Sequence, residues 1–122
     1  MLNVAPKELR ENIARANGYL RRGEVARALA AMSAALRQFT GIHLMRGPRA
    51  ELDIQISEFL NSLIHHQAMQ PLLDPSGSGK PKIIRYQQGK ENILATVLDG
   101  LARILTSSAE EEIRREAETR LE

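Results

Sequence analysis

Apolar residues recur at helical spacing along most of the chain. Leu9, Ile13, Ala16 and Leu20 stand four, three and four residues apart, which places them on one stripe of an α-helix. Pro6 suits the opening turn, where its missing N–H has no intrahelical bond to lose. Gly18, inside the pattern, costs about 1 kcal/mol relative to alanine. Arg21 and Arg22 followed by Gly23 read as a stop, with cations at the negative end of the helix dipole and then a residue tolerant of left-handed backbone. A second stripe, Val25, Ala28, Leu29, Met32, Leu36 and Phe39, is the clearest in the chain, and Gly41 closes it. The link Arg22-Gly23-Glu24 is so short that the two helices must fold back as an antiparallel hairpin.

Gly47-Pro48 opens a third helix carrying Leu52, Ile56, Phe59, Leu60, Leu63 and Ile64. Pro71 is expected to end or kink it, because the ring clashes with the preceding turn. Residues 71–82 hold three prolines and two glycines, so 71–90 reads as a connector. Within it Ile83-Ile84-Arg85-Tyr86 has extended character, and only Ile42-His43-Leu44-Met45 offers a strand to pair with it. A fourth helix has Leu94, Val97, Leu98, Leu101 and Leu105 as its stripe, widened by Ile93 and Ile104. Apolar over so much of its circumference, it is expected to lie at the centre of the fold. Ser108 and Glu111 have the spacing of a capping box, and Glu110, Glu111 and Glu112 suit a helix N-terminus, so a separate last helix is expected over 108–122. Its thin stripe, Ile113, Ala117 and Leu121, reaches Glu122 without a stop residue. That predicts an excised piece, or a helix that docks on something else. The pattern as a whole predicts an all-α fold of about five helices in a single domain, residues 1–122.

Composition narrows the chemistry. In 122 residues, 43% are hydrophobic and 26% charged, close to ordinary globular usage. The absence of cysteine excludes disulfides, thiolate catalysis and cysteine-ligated metal sites, and favours a reducing compartment. No apolar run approaches the ~20 residues of a membrane span, and the first residues lack the basic and apolar regions of a signal peptide. The expected location is the cytoplasm, away from membranes. The net charge of +2 hides an alternation: residues 1–50 carry nine basic and three acidic groups, 51–79 four acids and no base, 80–107 five bases and two acids, and 108–122 six acids and three bases. Blocks of opposite sign favour a charged partner or a second copy of the chain.

The stretch from Ala16 to Leu29 resembles a tetratricopeptide-type repeat. Ala16 stands in that family's glycine position, Tyr19 in its tyrosine position and Ala28 in its alanine position, with Gly23 in the turn and Ala35 as a further small residue. Asn12, Arg15, Met32 and Thr40 depart from the pattern, and no second copy follows about 34 residues on. The resemblance covers residues 8–40, a third of the chain. It implies protein–protein interaction through the groove face of the first helix. Asn17 falls where members that clamp a peptide carboxylate place an asparagine, whereas Ile13 stands in the place of their lysine. Arg10 and Arg21 lie on or near the same face, suited to an acidic partner.

Other constellations fall short of a known site. Gly77-Ser78-Gly79-Lys80 approaches a phosphate-binding loop but fails it twice, with Asp74 in place of the first glycine and Pro81 in place of Ser or Thr. Lys80, Lys82, Arg85 and Lys90 around Tyr86 offer phosphate contacts and one stacking ring. His65 and His66 are adjacent, so they diverge by about 100° on a helix and cannot chelate as an i, i+4 pair does. No nucleophile stands near a base, no acid pair is clustered, and neither a metal nor a cofactor is implied. These readings predict a non-catalytic interaction or scaffold module. It would engage another protein, or another domain of its own polypeptide, through Arg10, Asn17 and Arg21, with self-association through the last helix as a further contact. The alternative is a nucleic-acid-associated helical domain using the basic residues of 10–27 and 80–90.

Overall fold

The computed structural model describes residues 2–121, with side chains through Thr119. It is all-α: helices α1 (Lys7–Arg21), α2 (Val25–Arg37), α3 (Arg46–Ile64), α4 (Gln70–Leu73) and α5 (Glu91–Leu121), with a short 3₁₀ turn at Gln67–Met69. No strand forms among the described residues; a single parallel bridge joins Leu2 to Leu44, through Leu2 N–H to the His43 carbonyl and Met45 N–H to the Leu2 carbonyl, both at 2.8 Å. Ile42–Met45 therefore pairs with the N-terminal segment. Ile83–Tyr86 crosses the surface without a partner strand.

The hairpin forms where the spacing places it. α1 closes with Gly23 at φ +79°, where the Glu24 N–H reaches the Tyr19 carbonyl at 2.9 Å and the Gly23 N–H reaches Leu20 at 3.1 Å. This paired bond pattern satisfies the last carbonyls of the helix and needs a left-handed residue at that point. Ala16, Ala28 and Ala35 are fully buried, so the crossing has no room for a larger side chain. Tyr19 packs partly buried against the core, with the Arg22 guanidinium 5.1 Å from its ring centre.

The central helix is α2, which packs against α1 on one side and α5 on the other. Sequence periodicity points instead to the helix beginning near residue 91, but α5 is peripheral. Val97 of its stripe is 44% exposed, and Ile93 and Ile104, which widen that stripe, are 64% and 48% exposed. Short side chains decide the difference: Ala28, Ser33 and Ala35 let α2 accept a helix on each flank. Ser33 donates to the Ala95 carbonyl at 3.3 Å, and Arg37 reaches Asp99 at 2.7 Å, so polar bonds fasten α2 to α5 beside the apolar core.

Two boundaries also differ from expectation. Pro71 does not end α3, which stops at Ile64; it occupies the first turn of α4, the position where a proline costs nothing. The separate last helix does not form, because α5 runs unbroken from Glu91 through Ser108 to Leu121. Ser108 and Glu111 are both exposed, and in a solvated helix a serine costs only a few tenths of a kcal/mol against alanine, too little to break the chain. The connector shortens accordingly to residues 74–90.

Candidate interaction groove between α1 and α3

α3 lies across α1 and leaves an open groove of about 1080 Å³ between them. On α1 its wall is built by Arg10, Ile13, Asn17 and Arg21, residues three or four apart on one helical face. Leu52 and Pro48 of α3 face them, with Glu51, Gln55 and Glu58 along the outer edge. Ile13, Leu20 and Leu52 are buried, so the floor is apolar and the rim polar. All three interaction residues proposed from the sequence thus share one wall.

Their hydrogen bonds define what they have free. Arg10 donates through Nε to the Ala5 carbonyl at 3.1 Å, which anchors the guanidinium; among the described residues its terminal nitrogens have no hydrogen-bond partner. Asn17 donates through Nδ2 to the Ile13 carbonyl at 3.1 Å, leaving its amide oxygen for a ligand. Arg21 donates through Nε to the Asn17 carbonyl at 3.4 Å. Among the described residues neither arginine has a carboxylate within ion-pairing distance, and neither Glu51 nor Glu58 has a cation. The two walls therefore carry opposite, unneutralised charge across an apolar floor. That arrangement suits a polypeptide segment with mixed charge at its edges and apolar residues beneath.

The basic residues after the loop do not gather in the same way. Lys80, Lys82, Arg85 and Lys90 follow one another along an irregular segment rather than lining one wall. Tyr86, the one aromatic among them, is not free to stack. It is half-buried, and its hydroxyl accepts from Arg49 and donates to Glu91 at 3.1 Å. The glycine loop is likewise occupied from within. Asp74 accepts from the Ser78 hydroxyl at 2.9 Å, the Ser78 N–H at 3.0 Å and the Gly79 N–H at 2.8 Å, so its own carboxylate sits where a phosphate would need to be. The Ser78 hydroxyl and then those backbone N–H groups hold the Asp74 carboxyl below its ordinary value.

A cluster absent from the sequence reading lies between α3, the connector and α5. Arg49 bonds Asp53 at 3.3 Å, Glu91 at 2.5 Å and Tyr86, and its guanidinium stacks 4.6 Å from the Phe39 ring centre. Gln88 bonds the other oxygen of Asp53. Burial pushes the Glu91 carboxyl up, but hydrogen bonds from Arg49, the backbone and Tyr86 outweigh it, and the net direction is down. Burial pushes the Tyr86 hydroxyl well above its ordinary value, and the Asp53 and Glu91 charges add to that. Each charged or hydroxyl group here bonds at least one other member, with Arg49 joining Asp53, Tyr86 and Glu91, so the cluster is a clasp that holds residues 86–91 against α3. His65 and His66 are also in local use: His65 Nδ1 lies 2.9 Å from the Asn61 carbonyl, and His66 Nδ1 accepts from the Ala68 N–H at 3.1 Å. Among the described residues no group of three or more His, Asp or Glu side chains could hold a metal ion, and no helix is long and apolar enough to cross a membrane.

No family model matches the chain, and no curated protein or solved structure shows significant similarity to it.

Proposed function

We propose that the protein is a non-catalytic interaction module that captures a segment of another protein, or of another domain of its own polypeptide, in the α1–α3 groove. The observation that carries this reading is the pairing of an apolar floor with unneutralised Arg10 and Arg21 on one wall and Glu51 and Glu58 on the other. A surface that is both apolar and unpaired in charge has surplus binding free energy to release, because its ligand need not displace an existing ion pair. The resemblance of residues 8–40 to a tetratricopeptide-type hairpin supports the same use, since Arg10, Asn17 and Arg21 then lie on the face that such hairpins turn to their ligands. Self-association through α5 would use a different surface, separated from the groove by α2. A cytoplasmic setting accords with a chain free of cysteine.

Selection from a displayed library of random peptides, followed by fluorescence anisotropy, tests the reading. Peptides carrying acidic residues beside apolar ones are expected to bind with micromolar affinity, and Arg10→Glu with Arg21→Glu to abolish that binding. A library that yields no binder, or binders indifferent to both substitutions, would overturn it. A mixed-sequence oligonucleotide in the same assay reports on the nucleic-acid alternative, whose mark is binding that weakens steeply with salt.

A further inference from the structure

α5 spans 31 residues, about 46 Å, yet the body of the protein covers only its first half. From Thr106 to Thr119 every residue is exposed. On the side away from the core, Ile93, Val97, Gly100, Ile104, Ser107 and Glu111 follow one another at intervals of four and three. This is the spacing of a helix–helix seam, and it runs along the solvent face of the covered half and into the projecting half. Gly100 sits at the middle of the seam, with nothing within 4 Å of the position a Cβ would take, so a second backbone can approach closely there.

We propose that this seam is the contact with a second copy of the chain, packed antiparallel about Gly100 and Leu101. Charge selects that occupant and orientation. The projecting half carries Glu110, Glu111, Glu112, Glu116 and Glu118 against Arg114, Arg115 and Arg120, whereas Lys90, Arg85 and Lys82 precede the N-terminal end of α5. In the antiparallel register Val97 meets the second copy's residue 104, an isoleucine, and Glu111 comes opposite its residue 90, a lysine. A parallel pair would instead set each acidic end beside its like. Glu111 bonds Arg115 within its own helix at 2.9 Å, but both side chains are more than half exposed, so that bond exchanges readily. Each copy thereby lends the other's projecting half the surface its own body lacks. The seam holds few apolar side chains, so the association is small and reversible, and dilution separates the copies.

Sedimentation equilibrium of the full chain over a range of concentrations tests this. The expected result is a mass rising from 13.6 kDa toward twice that value. Val97→Glu with Ile104→Glu changes exposed positions only, and should hold the mass at one copy with helical circular dichroism unchanged. Lys90→Glu should weaken association about tenfold, and adding Glu111→Lys should restore it. A second measurement does not depend on those variants: mixing Val97→Cys protein with Ile104→Cys protein under mild oxidation should give a mixed disulfide in preference to either homodimer. A wild-type chain that stays at one copy throughout would overturn the proposal and leave the seam to a different protein. Dimers that survive Val97→Glu with Ile104→Glu, or that show no charge-swap rescue, would overturn the surface or the register. None of these outcomes bears on peptide binding in the groove, which lies on other helices.

Discussion

Arg49 of α3 and Glu91 of α5 form an ion pair at 2.5 Å, although they stand 42 residues apart in the chain. Their side chains are only 19% and 10% exposed, and Tyr86 and Phe39 shield them from water. The bond therefore acts at lower dielectric than a surface pair, and it fastens the start of α5 and the end of the connector to α3.

Removing one side of this pair is more harmful than its exposure alone suggests. Arg49→Met leaves the Glu91 carboxylate mostly buried and Tyr86 short of a donor, which should cost about 2–4 kcal/mol. Urea unfolding followed by circular dichroism measures it; a change below about 0.5 kcal/mol, the size of an ordinary surface substitution, would show that the clasp is not formed.

The pH dependence follows from the direction of the Glu91 shift. The folded state holds this carboxyl below its ordinary value of 4.5, so it favours the ionised form more than the unfolded chain does. The corresponding stability is present above that ordinary value and is lost as pH falls through the folded value. Asp99, where burial is outweighed by bonds from Ser33 and Arg37, and Asp74 shift the same way and add to the loss. Between about pH 5 and about pH 3 the unfolding free energy should fall, and Glu91→Gln should flatten part of that slope. A variant with the wild-type slope would contradict the assignment.

The hairpin crossing gives a third test. Ala28 is fully buried where α2 meets its neighbours, and Ala28→Leu adds volume to a site without space for it. Overpacking of this kind should lower stability by about 1–3 kcal/mol, read as a lower unfolding midpoint. An unchanged midpoint would mean that the helices are less closely packed than Ala16, Ala28 and Ala35 require.

Much of the fold was legible because it is written in local spacing. The stripes of α1 and α2, the Gly23 turn and the start of α3 at Gly47-Pro48 all depend on residues within a few positions of one another. So did the face that carries Arg10, Asn17 and Arg21. The opposite wall of the groove was not legible, since Glu51 and Glu58 meet α1 only through the crossing of α3. The Arg49 clasp was hidden for the same reason, its members being scattered over positions 39, 49, 53, 86, 88 and 91 without a repeating interval. Ser108 and Glu111 misled because a capping pair and two exposed polar residues in a continuous helix have identical sequences. Only the free energy of the whole helix separates the two.

Occupation of the α1–α3 groove is read out by amide chemical-shift mapping of the full chain with a selected peptide. Perturbations are expected to concentrate in residues 10–21 of α1 and 47–62 of α3, to be absent from α5, and to be lost when Arg10 and Arg21 are both replaced by glutamate. Perturbations centred on residues 80–90, or on α5 with α1 and α3 unmoved, would contradict it.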